Sequence, residues 1–284
     1  MRCEGATALK AFTAFQSLKA YGTYFRIRLI NSLQYRAAAW GGLVTNFFWG
    51  FMEIQLYGAF YAEHAEQFPM ALPHLVSYIW LRQAFLTLLN TWKFENDIFT
   101  MILNGNVAYE LCRPASVYGM WFTRTLAQRI AAAALRCWPI LLTASLLPQP
   151  WGLRFSPDMA TFAWFLLSLL LALAVTTAFL LIIYGSCFFT TSSQGLRAVL
   201  TPISDLLSGG LIPLPFMPDW LGGVIRYSPF GAMANAPLRI YSGDIAGMQR
   251  LETVGLQLLW LIVLAGIGWL LQQKGLKRLC VQGG

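Results

Sequence analysis

Residues 92–114 read WKFENDIFTMILNGNVAYELCRP. This is the longest well-ordered polar interruption between the hydrophobic segments of the chain. Asn96 or Asp97 can accept from the free amides of a first helical turn. Ile98, Met101 and Ile102 follow at spacings of three and four and share one face. Asn104-Gly105 stops the helix, because glycine takes the left-handed conformation there without penalty. Arg113-Pro114 closes the stretch, since proline suits the first turn of a following helix and drives the residue before it out of the helical region. The letters predict a capped helix of about two turns, set between two membrane spans, with an apolar face for a partner to grip. On residue chemistry alone, an ordinary loop between spans explains the stretch at least as well.

The composition points to a membrane. The chain has 284 residues, 57% of them hydrophobic and 11% charged, with mean hydropathy +0.55. Soluble domains carry about a quarter charged residues, so water cannot be the main solvent of this surface. The net charge of +8 would suggest nucleic acid in a soluble chain. Here the basic residues gather at presumed cytoplasmic ends, which assigns them to topology and anionic lipid, and no nucleic-acid partner is expected. Cys3, Cys112, Cys137, Cys187 and Cys280 show no C-x-x-C spacing. Most fall in spans or on the reducing side, so neither a disulfide nor a metal site is expected. The first ten residues are polar and carry no cleavable signal pattern.

Read in order, the chain forms a single transmembrane domain over 1–284. Residues 7–31 make an amphipathic interfacial helix, with cations Lys10, Lys19, Arg26 and Arg28 off its apolar side. Spans are predicted at 37–61, 73–92, 115–147, 159–184, 198–216 and 254–271, each judged against about 30 Å of hydrocarbon. Pro139 should kink the third. The fifth is interrupted by Pro202, Asp205, Gly209-Gly210 and Pro213, and freed backbone groups survive at membrane depth only where protein or a water-filled cavity satisfies them. Residues 217–243 read as an outer re-entrant segment, too broken to span and too apolar for an exposed loop. The fold class is therefore all-α and polytopic, with six spans, an interfacial N-terminal helix, a re-entrant hairpin before the last span and both termini cytoplasmic.

The run Gly105-Asn106-Val107-Ala108-Tyr109-Glu110-Leu111-Cys112-Arg113-Pro114 resembles the G-x-x-A-Y-x-L-x-R-P signature of ABC-2 type permeases. These are the membrane subunits of bacterial ABC exporters related to daunorubicin-type efflux permeases. Ser208-Gly209-Gly210 with Pro213, Pro215, Pro218 and Pro229 resembles the glycine-proline-rich segment that precedes the last span of that family. The resemblance covers nearly the whole chain in the length and order of spans. It implies a multi-pass protein of the bacterial inner membrane, with residues 94–114 on the cytoplasmic side as a coupling segment. It also implies two ATPase subunits that bind ATP and Mg, and a second permease that the family pattern makes a different chain. Within it Glu95, Asp97, Ile98, Met101, Ile102, Gly105, Arg113 and Pro114 would engage the ATPase. Gly209, Gly210, Pro213, Pro215 and Pro218 would form a gate.

The residues themselves offer no fuel site. There is no G-x-x-x-x-G-K-[ST], no G-x-S-x-G and no H-E-x-x-H, so no catalytic residue and no cofactor is assigned to this chain. Ionisable residues inside spans are functional candidates. Glu53 and Arg82 lie at similar depth on consecutive spans and are expected to pair, either to fix packing or to line a transport path. Asp205 and Arg136 have no obvious partner at matching depth. Two readings compete with an ATP-driven exporter. One is a proton-coupled secondary transporter using Glu53 and Asp205. The other is a membrane-bound lipid-modifying enzyme, which would need a cluster of histidines or carboxylates at one interface.

Overall fold

The computed structural model describes residues 19–34, 36–113, 115–154, 158–190 and 192–278. The expected interfacial helix is therefore described only from residue 19, and Pro114, Pro157, Cys3 and Cys280 lie outside the described residues. The fold is all-helical, with no strand among the described residues.

Helix α1 covers residues 19–33. It is fixed to the start of a later helix by Tyr21, whose hydroxyl accepts from the Ser116 N–H at 3.0 Å. Helix α2, Arg36–His64, is 29 residues long. The return is broken: α3, Leu72–Ala84, gives way at Phe85 to the short α4, Leu86–Leu89. This corrects the single span expected over 73–92. The chain then makes α5, Asn96–Leu103, and α6, Val107–Leu111.

Among the described residues, three helices are both long and apolar enough to cross a bilayer. They are α7, Val117–Leu146, α8, Met159–Ser186, and α12, Met248–Leu276. Helix α7 starts where the Ser116 hydroxyl accepts from the Gly119 N–H at 3.0 Å, and it carries Pro139 inside it. Helix α8 starts where Asp158 accepts from the Thr161 N–H; hydrogen bonds from the Thr161 hydroxyl and then its N–H hold this carboxyl below its usual range. The three differ in what surrounds them. The most apolar 18-residue stretch of α8 has mean hydropathy 2.8 and is 67% buried inside the chain, against 28% for that of α7 and 22% for that of α12. A helix apolar on every side belongs in a core, and α8 packs along α12 and touches α7, α4 and α11. Helices α2, α7 and α12 keep large apolar side chains outward, among them Trp40, Phe48, Phe60, Trp138, Ile262 and Trp269. Patches this extensive are not left in water, which makes this a membrane protein.

Helix α9, Ser193–Leu207, has 15 residues, about 22 Å at 1.5 Å per residue. It ends well before the expected limit at 216. The following stretch holds a turn at Leu214–Phe216, α10 at Asp219–Tyr227, a wide helical turn at Gly231–Asn235 broken at Met233, and α11 at Ala236–Ser242.

Three of the interruptions free backbone carbonyls that a long polar side chain takes up. Arg129 donates to the Leu88 and Asn90 carbonyls at the end of α4, at 2.8 and 2.7 Å. Arg82 donates to the Gly210 carbonyl after α9. Gln257 donates to the Ala232 carbonyl at 3.0 Å and to Ser168 of α8 at 3.1 Å. An unpaired carbonyl in such a setting costs about 1–3 kcal/mol, so these three residues are what make the interruptions tolerable.

Candidate functional site

Helix α5 is eight residues long, too short to be stable alone. It is held by its apolar face. Ile98, Phe99 and Ile102 are buried in the same cluster as Trp121 of α7 and Phe179 to Tyr184 of α8, with Met101 partly buried against it. The Phe99 and Tyr184 rings meet edge-on at 5.0 Å. This corrects the expectation that Ile98, Met101 and Ile102 are presented to a partner: the chain's own core consumes that face.

The expected cap is also different. The residue before the first helical turn is Glu95, not Asn96 or Asp97, and no side chain caps the turn. Arg124 of α7 has recruited the acids instead. Its Nε donates to Glu95, and its Nη2 donates to Asp97 at 2.8 Å. The Glu95 N–H donates to the Tyr184 hydroxyl at 2.9 Å. Burial raises the Glu95 carboxyl, with Arg124 opposing it. Glu95 is buried and cannot orient a partner, whereas Asp97 is 78% exposed. Gly105 takes φ +71°, the left-handed value that its place after α5 requires. Glu110 is nearly buried and pairs with the exposed Arg113 at 3.4 Å.

What faces outward is a different set. Leu103 is 48% exposed, Leu111 53% and Tyr109 76%. Leu103 falls off the apolar stripe of α5, and Tyr109 and Leu111 belong to α6, beyond the helix that the spacing predicts.

The segment is also tied to α9. Arg197 donates to the Asn96 side chain at 3.2 Å and lies 4.7 Å from the Phe94 ring and 5.1 Å from the Phe99 ring. Further along α9, Ser204 donates to Thr91 at 2.8 Å. Beyond its end Gly209 takes φ +83°, and a Cβ there would sit 3.1 Å from the Tyr78 hydroxyl.

No family model, curated protein or solved structure matches this chain.

The charges expected inside spans come together in part. Arg82 pairs with Glu53. Asp205 joins them, contrary to the expectation that it lacks a neighbour at its depth. All three, with Gly210, Trp49 and Trp92, line one cavity of about 490 Å³. Arg136 lies elsewhere, across Gly42 of α2, where an added Cβ would be 2.5 Å from its guanidinium carbon. Pro213 precedes the turn at Leu214–Phe216, Pro215 lies within it, and Pro218 precedes α10. They shape a small satellite cluster of Leu214, Met217 and Ile225, and Phe216 of the same turn meets Tyr57 of the cavity wall with ring centroids 5.3 Å apart.

Proposed function

We propose that this chain is the permease subunit of a bacterial ABC exporter, moving a hydrophobic or amphipathic compound across the inner membrane under the drive of two separate ATPase subunits. The observation that carries the reading is a braced protrusion. Residues 95–113 are anchored inward by Ile98, Phe99, Ile102 and Arg124 and present Leu103, Tyr109 and Leu111 outward. A motor can act only through contacts that differ between two states of the permease, and force needs a stiff handle with an adhesive tip. The family resemblance of residues 105–114 supports the same reading, with the protrusion cytoplasmic, six spans and both termini inside. The stretch 208–243, with α9 stopping short, suits the re-entrant hairpin. A second permease chain across the pore completes the assembly.

The tie from Asn96 through Arg197 and α9 to Gly210 and Arg82 supplies a route by which movement of the protrusion reaches the cavity at Glu53, Arg82 and Asp205. That cavity also favours a second reading, a proton-coupled transporter needing no ATPase. Co-purification from the native membrane separates the two. An ATPase should accompany the wild-type chain, and Tyr109→Ala should weaken the association about thirtyfold, as loss of an aromatic hot spot does, while leaving stability within about 0.5 kcal/mol. Recovery of the chain with no ATPase, together with transport in its absence, would sink the first reading and favour the second.

A further inference from the structure

Between α1, the segment before α5 and α7 lies a cavity of about 380 Å³. Its lining includes four cations, Arg28, Lys93, Arg124 and Arg136, against two carboxylates, Glu95 and Asp97. Both carboxylates are already engaged by Arg124. The remaining positive charge available to a ligand therefore lies on Arg28 of the α1 wall and on Lys93. Burial, then Arg136 and Arg129, lower the Lys93 ammonium from its ordinary value, with Glu95 opposing them. Like charges drawn together beside low-dielectric hydrocarbon are costly unless an anion answers them.

The walls of this cavity are built rather than incidental. Tyr21 ties α1 to the N-terminal turn of α7, and a Cβ at Gly119 would strike the Tyr21 hydroxyl at 2.7 Å. The Glu95 and Arg124 side chains at its base are 7% and 10% exposed. Helix α1 also turns Ile27 and Ile30 outward, each about half exposed, beside Arg28. That combination of exposed aliphatics and inward cations fits a helix lying at the edge of a bilayer.

We propose that this cavity holds the phosphate of an anionic phospholipid headgroup, with Arg28 and Lys93 as its principal contacts and the acyl chains leaving past Ile27 and Ile30. Clustered cations next to a span attract anionic lipid by roughly a fivefold gain in binding for each charge near the surface. The proposal is independent of any ATPase partner.

The test uses the full chain in nanodiscs of phosphatidylcholine, with or without phosphatidylglycerol. Lipid retention is read by native mass spectrometry, and amine modification of Lys93 by peptide mapping. Phosphatidylglycerol should be retained over phosphatidylcholine and should slow modification of Lys93 more than that of Lys274. Arg28→Gln and Lys93→Gln should each weaken retention about fivefold. Lys274→Gln removes the same charge from the exposed end of α12 and should leave retention unchanged. If Lys93→Gln fails to fold, the modification arm on the wild-type chain still decides. Equal loss in Lys274→Gln would mean diffuse attraction only and overturn the site. Glycerol phosphate in solution binding as strongly as the lipid would assign the cavity to a soluble phosphate compound and overturn the lipid assignment.

Discussion

Arg124 shows how one side chain decides the character of a segment. It faces two carboxylates, one buried and one exposed, and the buried one gives it structural weight. Removing the partner of a buried charge costs about 3–5 kcal/mol, more than removing both. Arg124→Leu should therefore lower the thermal unfolding midpoint in detergent clearly, and Arg124→Leu combined with Glu95→Gln should recover part of the loss. A double variant no more stable than the single one would mean that the pair does not matter. Arg82 is a harder case, because it serves Glu53 and the Gly210 carbonyl at once. Exchanging the charges, Glu53→Arg with Arg82→Glu, should do better than either single change in stability but fall short of wild type. The swapped carboxylate cannot donate to that carbonyl. A swap no better than the single changes would remove the pair as an organising contact.

At the scale of elements, the short helices behave as parts of their neighbours. Helix α5 exists because α7 and α8 bury its apolar face, so a charge at Ile98 should unfold the segment rather than merely release a partner. Helix α9 is tied at Arg197 to α5 and ends beside the cavity. Arg197→Ala should leave ATPase capture intact while lowering the transport supported by each ATP hydrolysed, measured in vesicles carrying the whole complex. Equal coupling ratios in variant and wild type would dismiss α9 as the lever. The helix breaks follow a common rule as well. At three of these places, the end of α4, the stretch after α9 and the turn at Gly231–Asn235, Arg129, Arg82 and Gln257 donate to backbone carbonyls.

For the whole molecule the decisive matter is which way the protrusion faces. Cys112 is an exposed free thiol on it. In a variant keeping only this cysteine, a membrane-impermeant thiol reagent should label inside-out vesicles and spare right-side-out ones. The opposite pattern would place the protrusion outside and end the exporter reading. The core also orders the helices by exposure: α8 is the most enclosed of the three long apolar helices, exposing apolar side chains mainly in its first half, whereas α2, α7 and α12 show apolar flanks.

Composition and hydropathy determined by themselves that this chain is helical and belongs in a membrane, because apolar runs of such length have one comfortable solvent. The long helices α7, α8 and α12 were legible for the same reason, and so was the stop at Gly105, which depends on one residue's freedom to take positive φ. Glu53 and Arg82 could be matched by depth along neighbouring spans. Only the tertiary structure decided that Ile98 and Ile102 face inward, that Asp205 joins Glu53 and Arg82 around one cavity, and that Arg129 and Gln257 serve broken backbone. Those outcomes depend on which helix stands beside which, and amphipathic spacing marks an apolar face without saying whether the same chain or another one will cover it.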